Sequence, residues 1–115
     1  MKEWDELISR AAGMENGTMF PFRITETVDT AAERDPLFRA AVDSAVKRFL
    51  SGDWGGDICP EDTGVNEDSI RRGNGQALGI YPVPYVEVYG RKLWLIAHFM
   101  HGDLYDICAL FPMEY

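Results

Sequence analysis

The sequence predicts an α+β domain in which N-terminal helices pack on an antiparallel meander of three to four strands. Three observations lead to this class. Apolar residues recur at a helical period of about 3.6 in the first half of the chain. Aromatic and β-branched residues then dominate three segments, 77–83, 92–100 and 104–111. Helices followed by consecutive strands are the order typical of α+β domains.

The length indicates a single domain, residues 1–115, with an N-terminal helix and linker over 1–19 and the core over 20–115. Hydrophobic residues make up 46% of the chain and charged residues 26%, which is the composition of a globular protein rather than a disordered one. Neither Cys59 nor Cys108 belongs to a C-x-x-C pair, and this usage is typical of the reducing cytosol.

The sequence gives no sign of membrane association. The opening residues, MKEWDELISR, are charged and unlike a signal peptide. The longest apolar run, 93–100, is interrupted by His98 and is too short to span a bilayer. We therefore predict a cytoplasmic protein with no membrane partner.

Four apolar residues near the N-terminus have the spacing of one helical face: Trp4, Leu7, Ile8 and Ala11. The helix is expected over residues 3–12, with Gly13, Asn16 and Gly17 ending it. Segment 19–28 is expected to follow as a short strand, and Pro21 confines that strand to a start or a sheet edge. Residues 29–34 are expected to add a helical turn that leads into the next helix.

The clearest helix prediction covers residues 36–50. Asp35 is a good N-cap residue, and Pro36 suits the first helical position because the missing N–H costs nothing there. An apolar stripe of helical period runs through the segment. A second, short helix is expected over 66–75, closed by Gly73.

The three C-terminal segments are predicted to form consecutive strands. The loop His101-Gly102-Asp103 suits a hairpin between the last two of them. Segment 93–99 is apolar on both pleat faces, as expected of a central strand that is covered on both sides. Helix 36–50 is the natural cover for one of these faces.

The segment SGDWGGDICPEDTGVNEDSI, residues 51–70, holds six carboxylates and no Lys or Arg: Asp53, Asp57, Glu61, Asp62, Glu67 and Asp68. The whole chain has a net charge of −8. Nucleic acid and anionic lipid repel such a chain, so we expect no direct nucleic-acid partner and instead a protein with a basic surface. The six carboxylates and Trp54 are the candidate partner-binding residues.

Trp54 has two interpretations. If its ring is exposed, Trp54 would be the apolar anchor of a contact with a partner protein. A tryptophan beside a glycine is alternatively a plug of the core, with a tight turn around it. The sequence leaves both open.

A metal site is not predicted. A helix-loop-helix calcium loop needs oxygen ligands at alternate positions and a glycine at the sixth, whereas Asp53, Asp57 and Glu61 are spaced by four. His98 and His101, three positions apart on a strand, would face opposite ways. No cofactor is expected either, because the chain has no phosphate-binding loop and no complete dinucleotide-binding turn.

Two further classes of function stay open, and no catalytic residue is assigned. A small metal-dependent or acid–base hydrolase would use Asp53 and Asp57 with His98 or His101, which requires these side chains to share one pocket. A structural or oligomerising domain would instead use a sheet edge or the aromatic residues of the C-terminal half.

Several motifs together resemble a family of short bacterial proteins loosely labelled plasmid-related. They are G-D-W-G at 52–55, the pair Glu61–Asp62, then Asn66, Gly73, W-L-I at 94–96 and the ending L-F-P-M-E-Y at 110–115. The resemblance covers about residues 35–115 and departs from the family at the hairpin AHFMHGDLYDICA, where threonines are expected.

The resemblance implies a setting on plasmids, phages or other mobile elements, and it implies no settled activity. Some members are labelled as methylation subunits, but a methyltransferase needs a larger doubly wound sheet with a glycine-rich turn. In that setting we predict a non-enzymatic acidic protein that inhibits or modulates a host defence complex, such as a nuclease or CRISPR effector, by nucleic-acid mimicry.

Overall fold

The computed structural model describes residues 2–14 and 22–115 of the chain. The elements follow in the order α1 Lys2–Met14, β1 Phe22–Ile24, α2 Glu26–Arg34, α3 Pro36–Leu50, α4 Pro60–Arg72, β2 Gly75–Val86, β3 Gly90–Met100, β4 Asp103–Leu110 and a 3₁₀ helix Pro112–Glu114. The predicted α+β class, with helices ahead of the main strands, is confirmed. In the described ranges no helix has both the length and the apolar character needed to cross a bilayer.

The four strands form one mixed sheet in the order β1-β4-β3-β2. Strands β2, β3 and β4 are the predicted antiparallel meander, and β3 is internal, as segment 93–99 indicates. Strand β1 is the fourth strand, at the other edge of the sheet, and it runs parallel to β4, with Phe22 opposite Ile107. Parallel pairing of distant segments leaves no local signal in the sequence.

The strand expected over 19–28 is shorter than predicted. In its described part only Phe22–Ile24 is extended, and the following residues begin α2. Thr25 ends the strand because its hydroxyl accepts a hydrogen bond from the Val28 N–H and so caps the helix. Helix α1 continues past the end expected at Gly13 to Met14, and Asn16, Gly17 and Pro21 lie outside the described residues.

The helix predictions hold best where a cap marks the boundary. Asp35 caps α3, accepting a hydrogen bond from Leu37 N at 3.0 Å, and Pro36 occupies its first turn as predicted. The extra turn expected before it is a separate helix, α2. Helix α4 begins at Pro60 rather than near residue 66, so most of the acidic segment is helical.

The core lies between the helices and one face of the sheet. Alternate residues of β3, among them Leu93, Leu95 and Phe99, are buried in it. Trp4 of α1 packs on the rings of Phe49 and Phe99 at centroid distances of 5.6 and 5.9 Å, and its indole N–H donates to the Phe49 carbonyl at 3.0 Å. This aromatic cluster positions the segment that follows α3.

Candidate functional site

The acidic segment packs along the outer edge of β2, which is an edge strand of the sheet. Ile80 N–H donates to the Trp54 carbonyl at 2.9 Å. The Asn66 amide makes two bonds of 2.8 Å with Leu78, donating to its carbonyl and accepting from its N–H. Unpaired edge groups are templates for aggregation, so these contacts close the edge. Pro82, two residues beyond Ile80, has no N–H that needs a partner.

Trp54 lies in the core, with 6% of its surface exposed. Its ring packs on Phe49 and Trp4 at centroid distances of 5.2 and 5.8 Å. The interpretation of Trp54 as the anchor of a partner contact requires an exposed ring, so it is wrong, and the alternative of a core plug holds. The physical reason is that its backbone is fixed to Ile80, which turns the side chain inward.

Asp53 is held by a network of hydrogen bonds rather than displayed freely. Its carboxylate makes two bonds to Arg48, at 2.7 and 3.3 Å, and accepts from Gly55 N–H at 3.0 Å. Its carbonyl accepts from the Tyr81 hydroxyl at 2.7 Å. The Arg48 hydrogen bond, with that of Gly55, lowers the pKa of Asp53, while burial raises the pKa of Tyr81.

Asp53→Asn is expected to lower the free energy of unfolding by about 0.5–1 kcal/mol at pH 7, because asparagine keeps the bond to Gly55 but loses the charge. Since the folded state lowers the pKa of Asp53, this stabilisation is present above the unfolded pKa of about 4 and is lost as pH falls below it. Urea unfolding at several pH values measures the difference. Asp57→Asn is the control with a smaller effect.

Two other carboxylates of the segment also have basic partners. Asp57 pairs with Lys92 at 3.1 Å, and Asp68 pairs with Arg71 and Arg72 at 3.0 and 2.8 Å. All of these cations lie outside residues 51–70. The pairs of Asp68 follow from helical spacing and could have been predicted, whereas that of Asp57 depends on the tertiary fold.

The three remaining carboxylates, Glu61, Asp62 and Glu67, form no ion pair within the described part of the chain. Glu61 and Glu67 are exposed and Asp62 is half-buried. At about 100° per residue they lie on different sides of the helix, about 100–140° apart, and we call these three side chains together the α4 acidic surface. Because Glu61 and Asp62 lie in the first turn, they also favour the helix through its dipole.

The residues that a hydrolase would need do not come together. Asp53 is tied to the sheet near Ile80, which pairs with Trp94, and His98 lies four residues further along β3. That separation is about 13 Å along the strand. His101 is at the exposed turn between β3 and β4. Across residues 2–14 and 22–115, no three His, Cys, Asp or Glu side chains are placed to hold a metal ion.

His98 instead pairs with Asp106, with its Nδ1 2.6 Å from a carboxylate oxygen. The Asp106 side chain is 9% exposed and also lies 3.4 Å from Arg23. This pair was not predicted, because Asp106 comes opposite His98 only through a register shift between His98 and Phe99. Nearby, burial and the Asp106 charge raise the pKa of the Cys108 thiol, so it stays protonated at neutral pH and is a poor nucleophile.

The other motif positions also have structural roles. Glu114 accepts hydrogen bonds from Phe111 N–H and from the Thr25 hydroxyl, both at 2.9 Å, and so ties the chain end to the start of α2. Gly73 ends α4 with a φ of 65°, and its carbonyl accepts from Gly102 N–H at 3.1 Å. The motifs that carry the resemblance therefore hold loops and helix ends against the sheet.

The fold and the site together define an α+β domain whose acidic segment closes a sheet edge and leaves part of its charge facing outward. Compared with protein-family models, with curated proteins and with solved structures, the chain has no significant match. The resemblance to plasmid-related proteins thus remains a prediction from the sequence.

Proposed function

We propose that this protein is a non-enzymatic acidic binding protein, whose α4 acidic surface occupies a basic, nucleic-acid-binding surface of another protein. One observation carries the proposal. Glu61, Asp62 and Glu67 lie on a regular helix with no cationic partner among the described residues, in a chain with a net charge of −8. Helical carboxylates free of internal ion pairs can bind cationic side chains without first breaking a salt bridge, and Glu61 accepts only a weak hydrogen bond of 3.8 Å from the Cys59 thiol.

The electrostatics favour a protein partner that itself binds nucleic acid. A surface rich in Lys and Arg attracts phosphates, and the same surface attracts carboxylates. Long-range attraction speeds encounter and weakens as salt rises, since charges beyond about 8–10 Å are screened at physiological ionic strength. A host nuclease or a CRISPR effector has such a surface. The mobile-element setting of this partner rests on the sequence resemblance alone.

A structural or oligomerising role is the second candidate, and exposed apolar side chains favour it. Met100, Tyr105 and Tyr115 are 48%, 56% and 70% exposed. Exposed aromatic and methionine side chains are enriched in protein–protein contacts. Light scattering at two protein concentrations separates the candidates, because self-association raises the mean mass with concentration.

Removal of the α4 charges should abolish capture of a basic partner. With the variant Glu61→Gln/Asp62→Asn/Glu67→Gln as bait, bacterial lysate at about 50 mM salt should yield none of the proteins that the wild type retains. At low salt we expect the association rate constant to fall by about tenfold, because steering depends on these charges. Mass spectrometry of the eluates and surface plasmon resonance measure both effects.

The matched control is Asp29→Asn/Glu33→Gln/Asp43→Asn, which removes the same number of negative charges beside β1, at the opposite edge of the sheet. It should capture the same proteins as the wild type. Equal capture by both variants, or retained proteins that 0.5 M salt does not release, would contradict the proposal. Circular dichroism confirms that each variant is folded.

A further inference from the structure

A groove between α2 and the β2–β3 hairpin combines aromatic rings with carboxylates. It has a volume of about 610 Å³ and is separate from the α4 acidic surface. Its lining includes two tyrosine rings, three carboxylates and one guanidinium: Tyr85, Tyr89, Glu26, Asp35, Glu87 and Arg34. We call it the hairpin groove.

The rings of the hairpin groove are fixed on one side and open on the other. Tyr89 stacks on Phe111, with ring centroids 4.8 Å apart and an interplanar angle of 25°. Tyr85 is 60% exposed. The Arg91 guanidinium lies 5.5 Å from the centre of the Tyr85 ring, so this ring already contacts one cation, and a second cation can reach only the part of the ring that stays exposed. An aromatic face attracts Lys and Arg at such distances.

The charges of the groove favour the same kind of occupant. Neither Glu26 nor Glu87 is in an ion pair within the described residues. Asp35, whose carboxylate caps α3, adds a third negative charge, and the positive charges at the groove are Arg34 in its lining and Arg91 on the Tyr85 ring. An acidic segment of a partner would be repelled by the excess of negative charge here. An apolar segment of a partner would remove water from the carboxylates without giving them an ion-pair partner.

The tip of the hairpin is held in an unfavourable conformation next to this groove. Val88 has a φ of 75° and is 71% exposed. A β-branched residue in the left-handed region is strained, and an exposed side chain gains little packing in return. Strain of this kind is typical of recognition loops, where the backbone is fixed for a contact that is made later.

We propose that the hairpin groove binds a lysine or arginine side chain of a partner protein. The cation lies over the Tyr85 ring, and Glu26 and Glu87 pair with its charge. The inference does not depend on the α4 acidic surface, because none of that surface's residues lines the groove.

The test is a titration of the ¹⁵N-labelled protein with a tetra-arginine peptide, with tetra-glutamate as the control peptide. Tetra-arginine should shift the amide signals of residues 85–89 and of α2, with a dissociation constant on the order of 1 mM. Tetra-glutamate should leave them unchanged. In the variant Glu26→Gln/Tyr85→Leu/Glu87→Gln, we expect about tenfold weaker binding, since the ring face and both unpaired charges are gone.

The variant Glu61→Gln/Glu67→Gln removes the same number of charges from α4 and should retain the shifts in the groove. Tetra-arginine shifts confined to residues 61–68 would overturn the hairpin groove and leave the proposed function standing. Shifts confined to the groove would support the inference and count against the α4 acidic surface. Equal shifts with both peptides, or full binding by the groove variant, would also overturn the inference.

Discussion

Replacing Gly55 with alanine should lower the free energy of unfolding by about 3 kcal/mol or more, a large part of the roughly 5–15 kcal/mol that stabilises a domain. Gly55 has a φ of 92°, a conformation that costs any other residue about 1–3 kcal/mol. A Cβ atom there would also overlap the Ile80 carbonyl oxygen, which is backbone and cannot rotate away. The edge contact between Trp54 and Ile80 would have to open.

Gly56 gives a matched control one residue away. A Cβ atom at Gly56 meets no heavy atom within 4 Å, so Gly56→Ala should change the stability by less than about 1 kcal/mol. Urea unfolding followed by circular dichroism measures both variants. Similar midpoints for Gly55→Ala and Gly56→Ala would show that the loop does not pack against β2 as described.

The sequence predicted those elements whose signals are local. An N-cap and a proline mark the start of α3, and a pattern of apolar residues identifies β3 as internal. The parallel pairing of β1 with β4 depends on residues more than 80 positions apart, such as Phe22 and Ile107. No pattern within either segment specifies that pairing, because the same residues would suit antiparallel pairing of the two strands at a sheet edge equally well.

The candidate site was predicted only in part for a related reason. The sequence showed where the carboxylates are, and the pairs of Asp68 follow from helical spacing, but it could not show that Asp53 and Asp57 would be neutralised. Arg48 and Lys92 reach Asp53 and Asp57 from α3 and β3. The negative charge that remains available is therefore concentrated on α4 rather than spread over residues 53–68, and this changes which variants test the proposed function.

Asn66→Asp should lower the free energy of unfolding by about 2–4 kcal/mol at pH 7, nearly as much as Gly55→Ala. Asn66 is 2% exposed, and its amide N–H₂ donates to the Leu78 carbonyl. Aspartate cannot donate that bond when ionised, and it places a buried charge against a carbonyl oxygen. Because burial would raise the pKa of the new carboxyl, the loss relative to wild type should shrink as pH falls toward about 4, where the protonated acid donates again.

Asn74→Asp makes the same chemical change on an exposed side chain in the turn after α4 and should stay within about 0.5 kcal/mol of wild type. A pH-independent loss in Asn66→Asp would mean that the amide does not bond to Leu78. The expected result has a consequence for function. Asn66 and Gly55 close the β2 edge, whereas Glu61 and Glu67 face solvent. Unfolding experiments on Asn66 and Gly55 therefore test the structural role of the acidic segment. Binding experiments on Glu61 and Glu67 test its proposed role in binding.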